Sequence, residues 1–292
     1  MKFRVIEILR TAVRLSGGVL AIAIVASTAF AQLDWEGQSG GLINPYSYIL
    51  PSQKLGHPEL AFHYLNGGPV LGGDYRASFT IGFLKIGEIG YTRVFNSEGS
   101  APLAPQFANG FNIGHIKFRL VPEGAHHWKF LPAIAAGSVV RTQVRRLTEV
   151  SERENTTCPD FFLVATKTFT AWKSVPIVLN FGEKITNASL MGIAANSPVW
   201  QGRLFGGTSF TLRGPLHSRL AFGAEVAQQP RELKEVPGPM VPTTLAYSAR
   251  VQPNGDTPLR LDFGLMQLGG NLGAGLNLQA RHQFTMGASY RF

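Results

Sequence analysis

Along much of the chain, apolar and polar residues alternate one by one. Tyr75, Ala77, Phe79, Ile81 and Phe83 alternate with Arg76, Ser78, Thr80 and Gly82. Leu220, Phe222, Ala224 and Val226 do the same against Ala221, Gly223, Glu225 and Ala227, as do Leu245, Tyr247, Ala249 and Val251 against Thr244, Ala246, Ser248 and Arg250. Leu259, Leu261, Phe263 and Leu265 alternate with Arg260, Asp262 and Gly264, and Phe284, Met286, Ala288, Tyr290 and Phe292 with Gln283, Thr285, Gly287, Ser289 and Arg291. Successive side chains of a β-strand point to opposite faces, so each segment has one apolar face and one polar or very small one. The segments approach the ~9–11 residues that a tilted strand needs to cross a bilayer.

Extending this reading predicts twelve strands, over 58–65, 75–84, 87–95, 110–121, 130–144, 160–172, 176–185, 200–213, 217–228, 242–252, 258–267 and 277–292. The connections at 85–86, 173–175 and 214–216 are very short, and those at 122–129 and 253–257 are short and carry Pro, Gly or Asn. The alternate connections, 66–74, 96–109, 145–159, 186–199, 229–241 and 268–276, are longer. An even strand number, alternating short and long connections and an apolar-out, polar-in alternation define a transmembrane barrel with periplasmic turns and external loops. The predicted fold is therefore all-β: an up-and-down antiparallel transmembrane β-barrel of about twelve strands, both ends on the short-turn side. Tyr75 and Trp200 fall near the outer rim in this register, and Trp172, Tyr290 and Phe292 near the periplasmic rim, where amphipathic rings are favoured. Three places resist the pattern. Ile113 has the wrong parity beside Ile116, Phe118 and Leu120, which a bulge would explain. Lys167 shares the apolar parity of Phe161, Leu163 and Phe169, and 130–144 is apolar on both faces apart from Arg141.

The start of the chain is of another kind. Residues 1–14 carry Lys2, Arg4, Arg10 and Arg14 against Glu7; Leu15 to Thr28 is apolar, and Ala29-Phe30-Ala31 is a small-x-small exit before Gln32. This is the pattern of a secretory signal peptide over 1–31, since the apolar run is well short of the ~20 residues of a spanning helix. No cysteine follows the cleavage site, as a bacterial lipid anchor there would require. Residues 32–57 are Gly-rich, carry Trp35, Tyr46 and Tyr48, and precede the first strand. They are expected to plug the lumen, to lie across the periplasmic mouth, or to form a disordered leader. The barrel domain is 58–292.

Composition agrees with this division. Only 15% of residues are charged and 33 are Gly, against about 25% charged in an average soluble domain. Low charge follows where half of each strand faces lipid. Removing four basic residues and one acidic one with the signal peptide brings the net charge from +9 to +6. The single cysteine, Cys158, excludes an internal disulfide framework and any Cys-based metal cluster.

On the lumen parity stand Arg76, Arg119, Arg141, Arg203, Arg250, Arg260 and Arg281 against Glu88, Glu225 and Asp262. Such an interior has two readings. A net-positive pore lining would favour anionic solutes. Alternatively the arginines form a structural network with the carboxylates, which their forked guanidinium suits. The first makes the protein a passive pore or transporter for small solutes, the second a closed structural or surface-interaction barrel.

The signal peptide, the alternating strands and the terminal segment Phe284–Phe292 together resemble Gram-negative outer-membrane β-barrel proteins. The resemblance covers essentially residues 58–292. It implies outer-membrane localisation, with outer-membrane lipid, periplasmic chaperones and the barrel-assembly machinery as partners. Phe284, Tyr290 and Phe292 then belong to the C-terminal signal that this machinery reads. Residues Trp35 to Pro45 also loosely resemble uncharacterised barrel proteins described as transporters, a likeness that transfers no substrate and no functional residue.

Catalytic chemistry finds little support. His282 falls on the lipid-facing parity, where some barrel enzymes carry catalytic residues, but no serine can be aligned beside it, and there is no Gly-x-Ser-x-Gly elbow. His126 and His127 are adjacent without a third ligand. No metal, cofactor or nucleic-acid partner is expected. The run Arg145, Arg146, Glu149, Glu152, Arg153, Glu154 reads as a solvated loop.

Overall fold

The structure, a computed structural model, describes residues 32–101, 110–143, 157–171, 175–192, 196–230, 243–254, 257–268 and 282–292. Two very short strands, β1 (Gln32–Leu33) and β2 (Ser39–Gly40), form a small ladder of their own. The remaining twelve are β3 (Glu59–Asn66), β4 (Gly73–Phe83), β5 (Gly87–Asn96), β6 (Asn112–Val121), β7 (Ala133–Thr142), β8 (Cys158–Ala171), β9 (Val175–Ala188), β10 (Asn196–Arg213), β11 (Arg219–Gln228), β12 (Thr243–Gln252), β13 (Leu259–Leu268) and β14 (Gln283–Arg291). Each pairs antiparallel with the next, and β14 returns to β3 from Thr285↔Leu65 to Arg291↔Glu59. The sheet is therefore a closed barrel, and closure satisfies the backbone groups that an open edge would leave without partners in lipid.

The twelve expected strands are all present. Their boundaries shift by a few residues, most on β8 to β10, which extend further on the long-loop side. The last strand was expected from 277. It is described from Gln283, and 277–281 lie outside the described residues.

The outer face is apolar from strand to strand. Phe62, Phe79, Tyr91, Phe118, Leu163, Phe181, Phe210, Tyr247, Phe263 and Met286 all stand exposed on it. Among the described strand residues with outward side chains, only Arg93, Lys167 and Glu183 carry formal charge. Water would not tolerate such a continuous apolar surface on a monomer, whereas hydrocarbon solvates it. Aromatic pairs mark both rims. Phe161 stacks on Trp200 at 6.3 Å and Tyr64 meets Tyr75 at 4.9 Å towards the loop side, while Tyr290 and Phe292 pack edge-on at 5.0 Å on the turn side. Trp172 lies outside the described residues.

The three irregular places each have a cause. Ile113 keeps the strand's phase and points inward, where it is fully buried; the only register irregularity of β6 against β7 lies further on, between Arg119 and Val121. Ala133, Ala135 and Val139 of β7 likewise point inward and are buried. These apolar residues have apolar company inside the barrel. Lys167 extends its stem along the lipid face and places its ammonium 3.1 Å from Glu123 in the turn 122–132. This is the usual behaviour of a long cation near a membrane interface.

The lumen is a packed core. Residues 32–50 run through it and are buried without exception. Trp35, Leu42 and Ile43 of this segment pack with Leu65, Val94, Phe111, Ile113, Val164, Phe205 and Met266 of the wall. A short helical turn, Gly68–Leu71, folds over the loop-side mouth and buries Val70 and Leu71 in the same cluster, together with Met191. Cys158 is fully buried there too, at the inward-facing start of β8.

The outer surface generates a direct test. Phe263, at the middle of β13, faces outward and is 42% exposed. Phe263→Arg is expected to destabilise the barrel in phospholipid vesicles by about 2–4 kcal/mol, the cost of a cation near the bilayer midplane. Denaturant unfolding in vesicles measures it, and no loss of stability would mean that this face does not meet hydrocarbon.

Candidate functional site

Residues 32–50 have little secondary structure; some backbone groups pair within the segment, as Trp35 N–H does with the Leu42 carbonyl and Tyr46 N–H with the Ser39 carbonyl, and the others need partners from elsewhere. The barrel backbone is already used in the strand ladders. The partners are polar side chains that point inward from the wall.

Glu225 of β11 is the clearest of these. Its carboxylate accepts the backbone N–H groups of Leu42, Ile43 (3.1 Å) and Asn44 (2.9 Å). Three amides converge because the chain turns tightly there, and a Cβ at Gly41 would collide with the Glu225 carboxylate. Asn44 in turn donates from Nδ2 to the carbonyls of Gly206 and Val226, both at 3.2 Å. Arg250 of β12 holds Asp262 at 2.7 Å and donates to the Gly41 carbonyl at 3.1 Å. Asp262 also accepts from the side chain of Gln32.

On the opposite wall, Glu88 accepts the N–H groups of Ser39 (2.9 Å) and Leu50 (3.0 Å) and pairs with Lys117 at 2.9 Å. Lys117 also donates to the Ser39 carbonyl at 2.7 Å. Arg141 bridges Glu36 of the segment and Asp160 of β8, the latter at 2.8 Å. Arg76 pairs with Asp74, donates to the Trp35 carbonyl at 3.1 Å and lies 4.4 Å over the Trp35 ring. Thr80 and Thr92 donate to the carbonyls of Gly37 and Glu36. Gly37 has φ +90° and lies too close to Thr92 for any side chain, so the bend requires glycine. Towards the turn side, Ser47 donates to the Val164 carbonyl, Asn180 to the Pro45 carbonyl, and Tyr48 to Glu123, each over 2.7–3.1 Å.

The residues expected to line the lumen divide accordingly. Arg76, Glu88, Arg141, Glu225, Arg250 and Asp262 all contact the segment or its immediate partners. Arg260 is buried and binds Glu59 at 3.4 Å. Arg119 sits at the turn-side rim and donates to the Lys85 carbonyl. Arg203, on β10, bonds Gln201 and the Gly202 carbonyl. Arg281 lies outside the described residues. The count of seven cations against three carboxylates omitted Glu59, Asp74 and Asp160, which face inward beside Arg260, Arg76 and Arg141. It also omitted Lys117. Parity would have found them, since Asp74 shares the face of Arg76 and Lys117 that of Arg119. With these residues included, Arg76, Lys117, Arg141, Arg250 and Arg260 are matched to carboxylates over short distances and form an ion-pair network, while the inward Lys184 of β9 has no carboxylate partner among the described residues.

Among the described residues a small cleft lies between the segment and the wall of β10–β12. It has room for about one water and is lined by Tyr46, Ser209, Gly223, Ser248 and Arg250 among others.

Comparison with known proteins places the chain near none by sequence: no family model and no curated protein matches. Solved structures similar in outline include a porin and a carbohydrate-binding barrel. One is the NanC porin, with 8% identity and a TM-score of 0.47, covering 80% of this chain and 100% of that one. The other is Wzi of Escherichia coli, an outer-membrane protein involved in group 1 capsule assembly and a carbohydrate-binding barrel, with 12% identity and a TM-score of 0.29, covering 80% of this chain and 55% of that one. Likenesses this remote pass no function to the chain.

Two outcomes follow from the geometry. Glu225→Gln replaces one acceptor oxygen with an N–H₂ group facing backbone N–H donors. The segment is expected to loosen by about 1–3 kcal/mol, the cost of leaving buried donors without acceptors. Hydrogen exchange at Leu42, Ile43 and Asn44 reads this as a rise of about fivefold to a hundredfold on that scale. The second concerns Asp34, whose Oδ1 accepts the N–H groups of Glu36 and Gln38 at 2.9 Å. Burial, reinforced by the Glu36 charge, pushes the Asp34 carboxyl up to about 8. The raised value means that the proton is held more tightly in the folded state. Its contribution to stability is complete below the ordinary value of 3.8 and is lost as pH rises towards 8. Asp34→Asn is expected to flatten that part of the stability-against-pH curve between pH 4 and 8, a window set by those two values.

Proposed function

We propose that this chain is an outer-membrane barrel held shut at rest by its own N-terminal segment, and that any passage of small solutes requires the segment to move. The single observation that carries this reading is the burial of residues 32–50 within the lumen, with their backbone bonded to Glu225, Arg250, Glu88, Lys117 and Arg76 on different strands. An apolar exterior and a closed antiparallel sheet support the membrane location. The short turns, placed on the periplasmic side, put both the start of the segment's exit to β3 and the Tyr290–Phe292 pair at that end. This is compatible with export by the 1–31 signal and with recognition of Phe284, Tyr290 and Phe292 by the assembly machinery.

The ion pairing also bears on selectivity. Arg76, Lys117, Arg141 and Arg250 each have a carboxylate partner in the wall, so these four cations would stay paired when the segment is displaced. We therefore favour the structural reading of the lumen arginines over a dedicated anion pore.

Recording in planar bilayers tests the proposal. The protein from Gln32 onward is expected to be nearly silent, and the variant lacking 32–50 to conduct with weak ion selectivity. Steady conductance of equal size in both would overturn the closed state, and strong anion selectivity in the deletion variant would restore the anion-pore reading.

A further inference from the structure

The outward face holds few charges, and one of them is set in a built polar group. Arg93 lies on β5, three residues before its loop-side end at Asn96, with Tyr91 and Phe95 on the same face. Across the ladder it pairs with Asn112, which pairs in turn with Thr142. Asn112 organises the group. Its Oδ1 accepts from the Tyr91 hydroxyl (2.6 Å) and from Arg93 (3.0 Å), and its Nδ2 donates to Gln143 (2.9 Å). The Arg93 guanidinium also lies 5.2 Å from the centre of the Phe95 ring. Beside Asn112 the sheet carries Gly114, where a side chain would meet only open space. The result is a shallow notch in an otherwise apolar wall, with a cation at its edge and aromatic rings on its flanks.

Arg93 has five N–H donors, and among the described residues Asn112 is its hydrogen-bond partner. No described carboxylate pairs with it, in contrast to Lys167 at the other rim. A cation on a lipid-facing surface is costly near the midplane and tolerable at the interface, where it can reach polar groups. At the loop-side interface the chemical group available to it is the lipid head group. The Arg93 guanidinium is tethered to Asn112 through Nη1 and lies beside the Phe95 ring, and its remaining N–H groups belong to a fork that suits phosphate oxygens.

We propose that the notch formed by Arg93, Tyr91, Asn112 and Gln143 binds the phosphate of a phosphorylated glycolipid in the outer leaflet, with an acyl chain lying over Gly114. The assignment of leaflet rests on the outer-membrane reading given above; the assignment of phosphate does not. The phosphate accepts from the Arg93 donors and from the Tyr91 hydroxyl when that hydroxyl turns from Asn112.

The test uses protein from Gln32 onward, folded into phosphatidylcholine vesicles containing lipid A, so that binding is read independently of where the cell places the protein. After detergent extraction, mass spectrometry measures the lipid A retained per folded barrel. Arg93→Gln is expected to retain about tenfold less than the unaltered protein, the scale of one charge-assisted bidentate contact. Arg93→Lys is expected to recover only part of the loss, because the fork is missing. Lipid A stripped of its phosphates is expected to be lost to the same degree as in Arg93→Gln, and millimolar inorganic phosphate to displace none. Equal retention by Arg93→Gln, or of phosphate-free lipid A by the unaltered protein, would overturn the proposal. So would displacement by inorganic phosphate, which would make this a site for the free anion. Loss of self-association in Arg93→Gln without any change in lipid retention would assign the notch to a second copy of the chain. If Arg93→Gln does not fold, the comparison of lipid A with its phosphate-free form on the unaltered protein decides alone. Fractionation of cells tests the outer-membrane reading separately.

Discussion

A stretch of backbone without regular secondary structure cannot be buried unless each N–H and C=O finds a partner. Residues 32–50 are buried inside a barrel whose own backbone is committed to its ladders. The inward charges of the wall meet that requirement. Glu225 collects three amides of one turn, Glu88 collects two from separate points, and Arg250, Lys117 and Arg76 supply donors to carbonyls. Each of these groups would be expensive to bury alone. Placed against the segment and against each other, they become mutually dependent, and this dependence holds the lumen closed.

The same barrel faces two media, and its two faces solve different problems. Outside, the strands present aromatic and aliphatic residues that hydrocarbon solvates. Inside, the wall must match a segment that is partly apolar and partly backbone, so it mixes Leu65, Val94, Ile113 and Phe205 with Arg141, Lys117 and Glu225. The lumen is accordingly better described as a protein core than as a pore lining. Its apolar half seals the loop end with Trp35, Leu71 and Phe111, and its charged half anchors the backbone. The cleft left beside β10–β12 lies where the wall carries the small residues Gly223 and Ser248.

Legibility followed locality. Alternation along β4, β11, β12 and β13 announces strands because it depends only on neighbours two residues apart. The twelve-strand count followed from the same signal together with turn residues. Ile113 was misread because its inward position is sensible only once an apolar segment occupies the lumen. The charge imbalance inferred from seven arginines had another origin, since parity alone turns the omitted carboxylates inward. Asp74 lay just outside the predicted strand, and Glu59 and Asp160, near strand ends, were not recognised as lumen groups. Arg93 shares the parity of Ile89, Tyr91 and Phe95, so its place on the outer face was readable. Its grouping with Asn112 and Gln143 was not, because it depends on the register between β5, β6 and β7.

The sequence by itself determined that this protein is a closed up-and-down barrel, since period-two patterning with alternate short and long connections has few other solutions. It also marked residues 32–57 as distinct from the strands. Only the tertiary structure decided that residues 32–50 fill the barrel, and that the lumen charges serve them. The reason is physical. Strand formation is written in short-range alternation, but the partner of a buried charge is chosen by closure of the sheet, which brings Glu225 to Ile43 and Arg141 to Glu36 across separations of 182 and 105 residues.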